Sequence, residues 1–325
     1  MKVLVIRFSS IGDIVLTTPV VRCLKNQLNA EVHYLTKPGF SSLLANNPYV
    51  DQVWTLDSPN LREELKRAGF TLVVDLHNNL RSRKITSGLR TDIRRFNKIN
   101  IAKWLVVNKL SRSLPEWHIV DRYLQTVEHL SVKNDGKGLD YFPAPDANLK
   151  NHSIPNSPFA VYAIGGQWQT KQLPNDLISD LCAKIEHPIV LIGGKDDATV
   201  GDQLEQNHSH VINLCGKLSL DQSALVTRQS SLLISHDTGM MHIGSAFGVD
   251  VFSIWGNTIP EFGMYPYQAG EQSIQFEVPN LGCRPCSKIG FNQCPNSHFH
   301  CMRHQNMDRI ASEVNLLLRR KDDGK

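Results

Sequence analysis

Short continuous apolar runs alternate with stretches of helical periodicity along most of the chain. Val3, Leu4, Val5 and Ile6 form the first run, of the kind buried on both faces of a parallel sheet. Ile11, Ile14, Val15, Val20, Val21 and Leu24 follow at roughly helical spacing, so the opening unit reads strand, tight turn, helix. The same alternation predicts strands at 31–35, 53–56 and 72–76, and helices at 61–67, near 80–89, near 101–110 and near 119–130. The stretch 134–158 carries four prolines, two glycines and four asparagines with little periodicity, which marks a linker. The pattern then restarts, with strands at 159–164, 189–192, 211–214, 231–234 and 249–255. Between them lie helices after Pro174 and near 199–206, 222–229 and 240–247. Alternation of this sort predicts an α/β chain of two Rossmann-like domains, 1–150 and 151–325, with mostly parallel sheets. Residues 257–300 read as irregular loop, and 306–320 as a terminal helix with Ile310, Val314, Leu317 and Leu318 on one side.

Composition removes several classes. At 325 residues, with 41% hydrophobic and 20% charged side chains, the chain is an ordinary globular one, not a disordered, collagenous or disulfide-scaffold sequence. No apolar run approaches the roughly 18 residues of a membrane span. Arg7, Ser9, Ser10 and Asp13 interrupt any signal-peptide core, so a cytoplasmic location is expected. The net charge of +4 is unevenly spread. Between 81 and 112 there are ten Lys or Arg against one acid, Asp92, which predicts a surface facing an anion. Nucleic acid, an anionic membrane surface and a phosphorylated substrate all fit that charge.

Ligands of open parallel sheets bind at the carboxyl ends of strands beside helix N-termini, so the turns there carry the candidate chemistry. The first is Arg7-Phe8-Ser9-Ser10-Ile11-Gly12-Asp13. Ser10 and Asp13 match a capping box, S-x-x-D, which any helix start can use. Asp13 equally stands where a carboxylate can act as general base toward a hydroxyl, and Gly12 permits close approach of a ligand. The second is Ser235-His236-Asp237-Thr238-Gly239-Met240-Met241-His242, in which a helix start with free N–H groups suits a diphosphate and His242 lies one turn beyond Thr238. The third, Gly165 to Pro174, offers Thr170 and Lys171 as phosphate donors after a glycine turn.

No G-x-G-x-x-G, no G-x-x-x-x-G-K-[ST] and no D-x-D occurs, which disfavours the usual nicotinamide, P-loop and metal-chelated diphosphate sites. Neither a cofactor nor a bound metal is expected. Cys283-x-x-Cys286, Cys294 and Cys301, with three histidines nearby, could enclose zinc, but the spacing is not that of a known finger and reduced thiols are the expectation. Cys23, Cys182 and Cys215 read as core.

Together and in this order, the segments VLVIRFSSIGDIVLTTPVVRCLK, LVVDLHNNLRSR and LLISHDTGMMHIGSAFGVDVFSIWG resemble glycosyltransferase family 9, the ADP-heptose:lipopolysaccharide heptosyltransferases. The resemblance implies the GT-B architecture, two Rossmann-like lobes with a cleft between them, and a carboxy-terminal helix, here 306–320, that crosses back. It implies Asp13 as catalytic base, with Thr170, Lys171, Asp237, Thr238, Gly239 and His242 on the donor. Ser10, Gly12, Asn79, Arg81 and Ser82 would serve the acceptor. The implied reaction is an inverting, metal-independent transfer of heptose or a related sugar from an ADP-activated donor to a lipopolysaccharide core or similar anionic glycolipid. Peripheral contact with the inner face of the cytoplasmic membrane and no nucleic-acid partner complete the expectation. The segment IGGQWQTKQLP departs from the family pattern before Thr170, and the cysteine group belongs to only some members. The competing readings are a nucleotide-sugar epimerase of the same fold and a non-catalytic nucleotide-sugar or anion binder.

Overall fold

The structure is a computed structural model that describes residues 1–324. It contains two compact units, the first Met1–Asn100 with Glu116–Ala144, the second Ile101–Pro115 with the chain from Pro145 onward.

In the first unit five parallel strands, β1 Lys2–Ile6, β2 Glu31–Thr36, β3 Gln52–Thr55, β4 Leu72–Asp75 and β5 Asp92–Arg95, lie in the order β3-β2-β1-β4-β5. The apolar run of β1 sits at the centre, with Val3, Leu4, Val5 and Ile6 fully buried. Burying each such side chain is worth roughly 1.5–3 kcal/mol, so the middle strand anchors the sheet. The register pairs Ile6 with Leu35 on one side and Asp75 on the other. Strand order reverses at β1, so the turns after β1 and β4 flank the switch point where ligands of such sheets bind.

The second unit holds six parallel strands, β6 Ala160–Ala163, β7 Ile189–Ile192, β8 Val211–Asn213, β9 Leu232–His236, β10 Asp250–Ile254 and β11 Ile274–Phe276, in the order β11-β10-β9-β6-β7-β8. Here the order reverses between β6 and β9, whose register places Ala163 beside Ser235. Separate apolar clusters cover its two faces. The terminal helix Met307–Asp323 contributes Ile310, Val314, Leu317 and Leu318 to one of them. Its Asn315 also accepts from the Glu186 N–H at 2.9 Å and donates to the Lys184 carbonyl at 2.9 Å. The helix expected to cross back therefore places its apolar face on the second unit.

Two edge strands escaped the sequence reading. β5 has one apolar residue, Ile93, between charged neighbours, and β11 is three residues inside the stretch read as irregular. Edge strands bury one side only, so the apolar signal is weak. The single domain cut near 150 also needs revision. Buried Arg22 holds Asp135 through two 2.8 Å bonds, the Gly138 carbonyl at 2.8 Å, and Asp140, which fastens the start of the supposed linker to the first unit. Conversely, Lys109 Nζ donates to the Pro285 carbonyl at 3.0 Å, and Lys103 lies 5.2 Å from the centroid of the Phe262 ring, so 101–115 packs with the second unit.

Candidate active site

In the first unit the chain leaves β1 at Arg7, whose side chain folds into its own turn. The guanidinium donates to the Ser9 carbonyl at 3.0 Å, the Leu76 carbonyl at 2.7 Å and the Tyr123 hydroxyl at 3.1 Å, and pairs with Asp13 Oδ1. Asp13 Oδ2 accepts from the Ser10 N–H at 3.1 Å and from its hydroxyl at 2.9 Å. Asp13 thus makes the capping contacts through one oxygen and an ion pair with Arg7 through the other. Burial alone would raise the Asp13 carboxyl, but the Arg7 cation and the Ser10 donors outweigh it and hold it at about 2. The carboxylate is ionised at any physiological pH. Gly12 is buried in the short helix Ile11–Val15 that begins here.

Across the switch point, β4 ends in Asp75, which is fully buried. Its Oδ1 accepts from the backbone N–H groups of His77 at 3.1 Å and Asn78 at 2.7 Å, and its Oδ2 from the Ser82 hydroxyl at 2.7 Å. Asn79 caps the helix Leu80–Thr86 by accepting from the Ser82 N–H at 2.8 Å. Ser82, expected to meet the acceptor, is itself buried, so its hydroxyl shapes the turn instead. Asn79 likewise has its carbonyl oxygen engaged as a cap, while Arg81 is exposed. His77 packs against Phe8 with ring centroids 4.5 Å apart. Burial, with Arg7 and Lys98 close by, pushes its imidazole down to about 4. Lys98 is also lowered, by burial and then by Arg7.

In the second unit, Lys171 lies in the loop after β6 and Asp237 directly after β9. Lys171 Nζ donates to Asp237 Oδ2 at 2.5 Å and to the Asp237 carbonyl at 3.4 Å, while Thr258 Oγ1 donates to the same Oδ2 at 2.8 Å. An ammonium has three donors, and this arrangement engages two. Thr238 stands at the N-cap of the helix Gly239–Ala246 in extended conformation, but its side chain makes no capping bond and pairs with the Ser235 hydroxyl at 3.2 Å. The first-turn N–H groups are therefore not capped by a side chain, and they carry the positive end of the helix dipole. Gly166 lets the loops meet. A Cβ there would lie 3.2 Å from Thr238 Cγ2 and 3.1 Å from Gln172 Nε2. His242 is buried on the same helix, one turn after Thr238.

Thr170 does something other than expected. Its hydroxyl donates to the Phe291 carbonyl at 2.9 Å and accepts from the Phe291 N–H at 2.8 Å, so it clamps the cysteine-bearing loop and is not free to bind phosphate. Sequence reasoning missed Arg7, Asp75, Thr258 and His236. His236 Nε2 accepts from the Leu173 N–H at 3.0 Å, and burial drives its imidazole down to about 3, so it stays neutral and fixes the chain just beyond Lys171. The signal for Arg7 and Asp75 was their position, each at the carboxyl end of an apolar run. No signal in the sequence pairs Thr258 with a residue 21 positions earlier. Among the described residues, no group of three or more His, Cys, Asp or Glu is arranged to hold a metal ion.

The model of glycosyltransferase family 9 (heptosyltransferase) matches residues 59–297. Lipopolysaccharide heptosyltransferase 1 of Pseudomonas aeruginosa is 23% identical, covering 98% of both chains. Lipooligosaccharide heptosyltransferase 2 of Campylobacter jejuni is 26% identical over 62% of this chain and 65% of its own. Among solved structures, a family 9 glycosyl transferase from Veillonella parvula aligns at TM-score 0.77 and 18% identity, covering 98% of this chain and 97% of that one. ADP-heptose lps heptosyltransferase II of E. coli aligns at TM-score 0.72 and 18% identity over 99% of each. Two parallel α/β units, the switch-point turns and a family match over most of the length converge on one assignment: the chain belongs to glycosyltransferase family 9 and has its GT-B fold.

Proposed function

We propose that this glycosyltransferase moves a heptose from an ADP-activated donor to the core of a lipopolysaccharide or similar anionic glycolipid, with inversion at the anomeric carbon. The observation that carries this reading is the anion grip of the second unit. Lys171 is held by Asp237 with a donor to spare, beside a helix start whose N–H groups lack a side-chain cap. Such a site suits a departing diphosphate, and a fixed ammonium with a helix dipole supplies the charge stabilisation that a chelated metal supplies elsewhere. The names of the relatives, heptosyltransferases of lipopolysaccharide and lipooligosaccharide, support the sugar and the acceptor class. The transferase family also weighs against the epimerase and non-catalytic readings.

Asp13 is the proposed base. At about 2 it is a weak base toward an ordinary hydroxyl, so the proton leaves late. As the acceptor oxygen bonds to the electron-poor anomeric carbon, its proton becomes acidic enough for an Arg7-paired carboxylate to take. Arg7 orients that carboxylate and keeps it ionised. Anomeric configuration of the product, determined by NMR after transfer from ADP-heptose, tests inversion. Turnover that survives EDTA tests metal independence, and loss of turnover after chelation, restored by a divalent cation, would overturn it.

A further inference from the structure

The ten Lys and Arg of 81–112 divide once their surroundings are known. Several are exposed, Arg81 and Arg90 among them. Others serve the protein itself: Arg94 pairs with Asp92 at 2.8 Å, Arg95 approaches Asp75 at 3.8 Å, and Lys109 donates to the Pro285 carbonyl at 3.0 Å. Lys98 belongs to neither group. It is half-buried, yet it makes no hydrogen bond or ion pair among the described residues. Its place is set by the turn that follows β5. The Phe96 N–H donates to the Asp75 carbonyl at 3.0 Å, and Asn78 Nδ2 donates to the Phe96 carbonyl at 2.9 Å, which ties this turn to the one after β4. Asn97 Oδ1 accepts from the Ile99 N–H at 2.9 Å and holds Ile99 at φ 47°, a conformation that a β-branched residue rarely adopts. Lys98, between these two, comes within electrostatic reach of Arg7, Asp13 and Asp75, at the carboxyl ends of the neighbouring strands β1 and β4.

The groups around Lys98 leave its charge unbalanced. Asp13 is paired with Arg7 and bonded to Ser10. Asp75 is engaged through both oxygens, by the Ser82 hydroxyl and by the N–H groups of His77 and Asn78. Arg7 has the same sign as Lys98, and His77, held down at about 4, is neutral. A cation partly removed from water without a partner is costly, and a ligand that brings the missing anion offsets that cost. We infer that Lys98 is a specificity residue of the acceptor site, receiving a carboxylate or phosphate carried on the acceptor sugar close to the attacking hydroxyl. It fills the role that the sequence assigned to Asn79 and Ser82, whose side-chain oxygens serve their own turn. An ammonium is a compact charge with three rotatable donors, so it accepts an oxyanion whose orientation is set by the rest of the sugar. The inference rests on the proposed transfer reaction, with Asp13 as its base, and adds to it the residue that selects the acceptor and the place of the anion beside the attacking hydroxyl.

The test compares transfer by the full chain to heptose-free lipopolysaccharide, to its carboxyl-methylated form and to its dephosphorylated form. The wild type should prefer the native acceptor over one of the two modified forms, which identifies the anion as carboxylate or phosphate. Lys98→Met should raise the KM for the native acceptor by about tenfold or more, erase that preference, and leave kcat and donor KM near normal. Lys98→Arg should restore most of the affinity, and Arg90→Met, at an exposed position of the same basic run, should change nothing. Melting of Lys98→Met should be unchanged or raised, because an unpaired charge leaves a half-buried place. An unchanged acceptor KM in Lys98→Met, an undiminished preference for the native acceptor, or a lowered melting temperature overturns the inference. Absence of transfer by the wild type overturns the reaction instead, and a second readout then decides on Lys98. Acetylation by acetic anhydride, followed by mass spectrometry, should be slowed at Lys98 but not at exposed Lys84 when inorganic phosphate replaces chloride at equal ionic strength. Equal labelling of Lys98 in both salts overturns the site.

Discussion

The two switch points, each a strand end followed by a helix start, carry opposite electrostatic arrangements. After β1, a partly buried arginine serves a carboxylate: Arg7 is anchored by three neighbouring oxygens and presents its charge to Asp13. After β9, a carboxylate serves a cation: Asp237 is anchored by Thr258 and holds Lys171. In each pair the anchored partner fixes the working one. The position in the sheet is alike, and the sign of the anchored residue sets which charge each turn presents.

Substitutions that remove the working partner should break the comparison most. Asp13→Asn keeps the shape but removes the proposed base, and kcat should fall by about 10²–10⁴ with little change in donor KM. Near-normal turnover would leave Asp13 as a helix cap only. Arg7→Met removes the anchor of the same pair and strands a largely buried carboxylate. The expected loss is about 3–5 kcal/mol of stability by chemical denaturation, with the Asp13 carboxyl rising from about 2. Lys171→Met should act mainly on the donor, raising its KM about 10- to 100-fold, since one charge-assisted bond to phosphate is worth roughly 1.5–3 kcal/mol. Thr170→Val sharpens the contrast with its neighbour. It should destabilise by about 1–3 kcal/mol through the lost Phe291 clamp, yet leave donor KM nearly unchanged. A large KM effect there would restore the phosphate role expected from sequence.

Acid should probe both turns in a fixed order and with the smallest effect near neutrality. His77 and His236 have folded values lowered to about 4 and about 3, so both are held neutral. Their contribution is fully present above the unfolded value near 6.5 and is lost as pH falls toward those folded values, about 1 kcal/mol per group at pH 5.5. Asp13 has a depressed value as well, so its contribution persists to the unfolded value near 4 and disappears as pH falls through about 2. A melting series from pH 8 to 3 checks this, with His77→Asn and His236→Asn flattening the first phase.

Much of the fold could be read without coordinates. The runs that became β1, β2, β4, β6, β7, β9 and β10 are apolar because central parallel strands are covered on both faces. Asp13, Lys171, Asp237 and Thr238 lie in the turns that follow such runs, where the sequence put them as candidates. Thr170 and Ser82 were also in the right turns, but a hydroxyl can face a ligand or its own backbone with equal local propensity. Here both engage the protein, one through Phe291 and the other through Asp75. The edge strands β5 and β11 and the assignment of 101–115 to the second unit were not legible, because each depends on a neighbour distant in sequence.

By itself, then, the sequence determined the alternation of strands and helices, the two Rossmann-like halves and the turns where chemistry belongs, since these follow from periodicity and local backbone preference. Only the tertiary structure decided which polar side chains are engaged by distant parts of the protein. That outcome depends on pairings between residues 21 to 121 positions apart, Asp237 with Thr258 and Thr170 with Phe291. Local patterning encodes how a segment folds, but not which distant group will meet its polar atoms.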